Sequence, residues 1–204
     1  MWRCAIPVLL TSLVACTPPA VRVIPIPTPE RAFDLDGLRI RAPGAEWYVV
    51  DHQPRRIGFV RYGRSWDDSW GAEVQLVVID FDYRDREDFF ARLRARRETF
   101  QGDPRYDLLE VESRRQRLGD MECSRSRLSV RDRGALNRGP SLYLLLQVIG
   151  LSCLPAGHPQ RMIELRFSHR GRRHVEWHEL DAAAESFFQG LVTQAGPETS
   201  PNGN

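Results

Sequence analysis

The stretch SLYLLLQVIGLSC, residues 141–153, decides the fold. It is almost continuously apolar from Leu142 to Leu151, the composition of a central strand with both faces covered. Something must therefore pack on each side of it. The stretch ends at Cys153, and MECSRSRLSV (121–130) carries the other cysteine of this region, Cys123. If the two segments form one antiparallel hairpin with the cysteines opposed, Ser129 faces Gln147 and the turn centres on Arg138. The intervening RDRGALNRGP supplies Gly134, Asn137, Gly139 and Pro140, all turn formers. Opposed residues at a non-hydrogen-bonded site lie about 4.5 Å apart at Cα, inside the range of about 4.4 to 6.8 Å that a disulfide tolerates.

Working outward, YDLLEVESRRQRL (106–118) precedes a Gly119-Asp120 turn and reads as another strand. RMIELRFS (161–168) alternates, with Ile163, Leu165 and Phe167 on one side and Glu164, Arg166 and Ser168 on the other. Towards the N-terminus, LRIRAP, WYVVD and IGFVRY are short strands separated by PGAE and HQPRR, which predicts a meander. EVQLVVIDF (73–81) is a longer β-branched strand. DREDFFARLRARRETF (85–100) predicts a helix with Phe89, Leu93 and Phe100 near one face and Asp85, Glu87 and Asp88 at its positive end. A last helix, from Trp177 to Leu191, carries the stripe Trp177, Leu180, Ala184, Phe187, Phe188 and Leu191. Strands, helix, strands, helix with short connections predict a single α+β domain over residues 33–194, a mainly antiparallel sheet covered by two helices.

The ends of the chain read differently. Arg3, the apolar run Ala5 to Val14 and the small residue Ala15 have the layout of a secretory signal. Leu13-Val14-Ala15-Cys16 resembles the lipobox of bacterial lipoproteins. That resemblance implies removal of residues 1–15, lipidation of Cys16 by diacylglyceryl and a further acyl (palmitate-type) chain, and attachment to the membrane through lipid. Thr17 in place of the usual inner-membrane Asp implies the outer membrane, facing the periplasm. Residues 16–32 hold five of the chain's prolines and predict a lipidated cysteine on an extended tether, reaching on the order of 45 Å. Residues 195–204, AGPETSPNGN, have the composition of a disordered tail. In an oxidising compartment Cys123 and Cys153 are expected to form a structural disulfide.

The order of elements, with the aromatic WYVV strand, resembles the PsbP-like α/β/α fold over residues 38–192. That group acts mostly as accessory or binding proteins, and no functional residue is carried over from it. All 29 basic residues are arginine, and the 27 acidic ones are interspersed, leaving a net charge of +2. Such a balance describes a solvated, salt-bridged surface, not the clustered basic face of a nucleic-acid binder. No cofactor and no nucleic-acid partner are expected.

Three sites are candidates. Trp66 and Trp70, in RYGRSWDDSWGAE, could offer indole faces to an envelope glycan or protein partner. His174 and His178, four apart, could share a helical face and hold zinc for a hydrolase, against four surrounding arginines that disfavour a cation. Ser168 and His169 lack any nucleophile-elbow context. The expectation that remains is a non-enzymatic envelope lipoprotein acting as an accessory or interaction module.

Overall fold

In a computed structural model that describes residues 24–26, 31–65, 67–98, 104–134, 143–155 and 160–193, the elements follow in order. They are β1 (Ile24–Pro25), β2 (Ala32–Leu35), β3 (Leu38–Arg41), β4 (Tyr48–Gln53), β5 (Arg56–Tyr62), β6 (Ser69–Val78), α1 (Arg86–Glu98), β7 (Tyr106–Leu118), β8 (Met121–Asp132), β9 (Leu144–Leu154), β10 (Arg161–Gly171), α2 (Trp177–Phe188) and β11 (Leu191–Thr193). The chain is α+β, with an eight-stranded antiparallel sheet ordered β1-β4-β5-β6-β10-β9-β8-β7 and a three-stranded sheet ordered β11-β3-β2.

The cysteine register holds along the whole hairpin. Cys123 pairs with Cys153 and Ser129 with Gln147, and the cysteines form a disulfide with Cα atoms 4.1 Å apart, just short of the usual disulfide span and near the separation of a non-hydrogen-bonded pair. On the far side, β7 and β8 meet at Gly119-Asp120, where Gly119 takes φ 60° and Leu118 pairs with Met121. Positive φ is what a glycine supplies at a tight turn.

Alternation gives the large sheet two unlike faces. One presents Phe59, Ala72, Val74, Ile149, Leu151, Ile163, Leu165 and Phe167 to Leu180, Ala184, Phe187 and Phe188 of α2, and to Phe33, Leu35 and Ile40 of the small sheet. This is the main core. The opposite face is covered at one end by α1, whose Phe89, Phe90 and Leu93 pack on Leu154 and Met162. Asp85 caps α1: its carboxylate accepts from the Asp88 N–H at 2.9 Å and its carbonyl from the Phe89 N–H.

Several expectations are corrected. LRIRAP is not in the meander, because Asp36-Gly37, both at positive φ, closes a two-residue hairpin that sends β3 back along β2 into the small sheet. Leu191 is not helical. The last helix ends before Gln189-Gly190, and Leu191 enters the same core from β11, opposite Ile40. Phe90 joins Phe89 and Leu93 in the α1 core, while Phe100 lies outside the described residues.

The N-terminal segment also departs from a free tether. Ile24 and Pro25 pair with Val49 and Tyr48, and Ile26 is buried with the main core. A β-strand placed eight residues after Cys16 limits the reach of the linking chain to about 25 Å. Cys16 itself, residues 1–15 and residues 195–204 lie outside the described residues, as does Arg138.

Candidate functional site

β9 is not equally covered on its two faces. Ile149, Leu151 and Cys153 are sealed beneath α2, but Leu146 and Val148, on the other face, are only half-buried. They continue sideways into Leu128 and Val111 through the pairs Val148–Leu128–Val111. The result is an open groove of about 280 Å³, floored by these four side chains with Ser126, Gly150 and Ser152 and flanked by Glu164 and Arg166. A Cβ at Gly150 would sit 2.7 Å from the Ser126 hydroxyl, so glycine there keeps the floor deep. Glu164 and Arg166 pair with each other at 2.7 Å, which leaves a charged rim beside an apolar floor. Such an arrangement suits apolar contact oriented by charge.

Ion pairs fix the strands on either side of this groove. On the covered face Arg125 is 3 % exposed, yet it donates to Asp181 and Glu185 of α2, both at 2.8 Å, and to the Gln116 amide oxygen. Arg127 binds the same Asp181. Near the groove's end Asp132, 1 % exposed, accepts from Arg105 at 2.7 Å and Arg170 at 2.5 Å. Burial alone would push the Asp181 carboxyl up, but Arg127 and Arg125 outweigh it and hold it below the ordinary carboxylate range. Asp132 is depressed in the same way, burial being outweighed by Arg105 and Arg170.

A pH dependence follows. A carboxyl whose folded pKa lies below its unfolded value contributes stability above that unfolded value, about 3.9 for Asp, and loses it as pH falls through the folded one. The stability gap between the native chain and Asp132→Asn is therefore expected to be constant from neutrality to about pH 5 and to shrink below about pH 4. Denaturant melts of both proteins across this range check it; a gap that grows with acid would contradict the assignment.

The sequence candidates are dispersed. Trp66 lies outside the described residues. Trp70 is on β6, on the covered face, where its ring lies 6.0 Å from Phe167 and 4.7 Å from His169, with Arg61 over it at 5.2 Å. His169 is buried, and its Nε2 lies 2.9 Å from Asp68. Ser168 points to the opposite face, its hydroxyl near the Gly71 carbonyl. The four-residue spacing of His174 and His178 is not helical, because α2 begins only at Trp177. His174 Nε2 faces the Gln147 amide nitrogen at 3.0 Å, and Gln147 is itself held by Val175. No cluster of three metal-ligating side chains occurs among the described residues.

The groove itself is missed by the sequence reading. Its one signal is the excess of apolar residues on 142–151 over what a single covered face needs.

No family model matches the chain, and no curated protein does. Among solved structures the chain is similar to cyanobacterial PsbP (CyanoP) from Synechocystis sp. PCC 6803, at 12 % identity and TM-score 0.45, over 80 % of this chain and 92 % of that one. It is also similar to the Ran-binding protein Mog1p of Saccharomyces cerevisiae, at 9 % identity and TM-score 0.44, over 81 % and 96 %.

Proposed function

We propose that the chain is a non-enzymatic envelope lipoprotein, an accessory or interaction module anchored through Cys16 and facing the periplasm from the outer membrane. The observation that carries the binding role is the half-buried floor of Val111, Leu128, Leu146 and Val148 beside the Glu164–Arg166 rim. Large apolar side chains grouped on an open sheet face mark an interaction surface better than scattered exposed ones do. Anchoring is supported by the lipobox-like Leu13-Val14-Ala15-Cys16. With β1 beginning at Ile24, the point where the tether joins the domain stays within about 25 Å of the bilayer surface. No helix among the described residues is long and apolar enough to cross a membrane. Lipid at Cys16 would supply the membrane affinity, since two acyl chains suffice for stable attachment.

The test has two arms. Full-length Cys16→Ser is expected to leave the membrane fraction while keeping its disulfide and its unfolding transition, since the anchor lies outside the core. Mutant protein remaining in the membrane pellet would overturn the lipid anchor. Full-length Val148→Asp, still lipidated, is expected to stay in the membrane and to lose the proteins that co-purify with the native chain. An unchanged set would overturn the groove.

A further inference from the structure

The large sheet ends on β7, a 13-residue strand with no neighbour on its outer side among the described residues. Edges of this length are normally blunted by scattered charge, because their unpaired N–H and C=O groups recruit other chains. On β7 the charges are not scattered. Asp107, Glu110 and Glu112 occupy the first half and Arg114, Arg115 and Arg117 the second.

We propose that β7 is a self-association edge, at which two copies of this chain join antiparallel about a two-fold axis through Ser113. Backbone geometry admits only registers whose axis passes through a residue, and charge then chooses among them. The 4.1 Å Cα separation of Cys123 and Cys153 marks a non-hydrogen-bonded pair, so the backbone groups of Cys123 turn towards its other neighbour, Gln116. Alternation then sends the N–H and C=O of Gln116, Arg114 and Glu112 inwards to β8, and those of Arg115, Ser113 and Val111 outwards. With the axis at Ser113, Ser113 meets Ser113 and Val111 meets Arg115, and every outward group finds an outward partner. Glu112 then lies opposite Arg114 of the second copy, twice, at the close non-hydrogen-bonded positions where side chains interact most.

Neighbouring registers set like charges on the axis. Moving it to residue 114 sets Arg114 against Arg114, and moving it to residue 112 sets Glu112 against Glu112 and leaves Arg114 to Glu110, whose carboxylate already accepts from the Trp177 indole at 3.2 Å. A parallel partner would place acid on acid along the strand.

The side chains are available for this. Glu112 is 61 % exposed, with Arg127 no nearer than 3.9 Å, and Arg114 is exposed. Arg115 is drawn back over α1 by Glu87 at 2.7 Å and by the Phe90 ring at 3.6 Å. Leu109, 46 % exposed at the bulge in β7, comes opposite the stem of Arg117 of the second copy. The groove gains as well. Its floor row Gly150–Ser126–Ser113 runs to the edge, so pairing joins the two grooves through adjacent serines.

Sedimentation velocity of the full chain carrying Cys16→Ser, which removes the lipid, tests this independently of what the groove binds. A monomer–dimer equilibrium that weakens with salt is expected. On that background Glu112→Arg, which sets arginine against arginine at both contacts, should raise the dimer dissociation constant at least about tenfold. Adding Arg114→Glu to it should restore the native value to within about threefold. In a third variant, on a background that also carries Cys4→Ser, Ser113→Cys should yield a covalent dimer on mild oxidation, because residues at a hydrogen-bonded pair sit about 5.5 Å apart, while Arg117→Cys should not. A chain monomeric at all concentrations, a charge swap that fails to rescue, or cross-linking at residue 117 and not at 113 would each overturn the proposal.

Discussion

Phe187→Ala is expected to lower the unfolding free energy by about 3 to 5 kcal/mol. The ring is 2 % exposed and sits where α2 meets the large sheet, 6.1 Å from Phe59, 6.1 Å from Phe167 and 6.0 Å from Phe188. Truncation removes the transfer term and leaves a void that neighbours on two strands and one helix can close only in part. The edge-to-face contact with Phe59 is lost too, a contribution of about 0.5 to 1.5 kcal/mol beyond area. Urea melts of Phe187→Ala beside Ser186→Ala, an exposed neighbour on the same helix, check the value. A shift of less than about 1 kcal/mol would mean that α2 is not docked through this stripe.

How much of this core was legible depends on which physical signal each element carries. The stripe of α2 was, because Leu180, Ala184 and Phe187 repeat at helical spacing and all three are buried. The last residue of the stripe, Leu191, belongs to β11 and not to the helix. The helix ends at Phe188, the Gly190 N–H closes a turn on the Phe187 carbonyl, and Leu191 then reaches the same core from a strand, a turn that periodicity alone cannot see. The β8–β9 register was legible to the residue, since two opposed cysteines fix it and every other pair follows. The small sheet was not, although Asp36-Gly37 is a strong short hairpin signal; strand pattern says nothing about which sheet a strand joins.

The site was harder. Pattern reading takes arginine as surface, which holds for Arg114 and fails for Arg125, buried because Asp181 and Glu185 arrive from a helix some 60 positions along. Long-range pairing of that kind leaves no local trace. Likewise the apolar length of 142–151 promises cover on both faces, but nothing in it tells that α1 covers only the end at Leu154 and leaves Leu146 and Val148 to floor a groove.

Removing the disulfide as Cys123→Ala with Cys153→Ala is expected to cost about 3 to 4 kcal/mol, the chain-entropy value for the 30-residue separation it closes. The bridge joins two inner strands directly opposite one another, at the end of the hairpin far from its loop, so it restrains the whole of β8 and β9 in the unfolded chain. Both cysteines are fully buried, and alanine leaves their neighbours less well packed, which adds to the loss. Burial also predicts a kinetic result. Exchange requires a thiolate to reach a sulfur atom, so a reductant should act on the folded chain only through opening, and readily once the chain is unfolded. Melts of the double variant against the native chain, with thiol titration of native and unfolded protein, decide the matter. Fast reduction under native conditions would show that the β8–β9 hairpin opens freely and that the groove it floors is not preformed, and a double variant as stable as the native chain would overturn the stabilising role of the bridge.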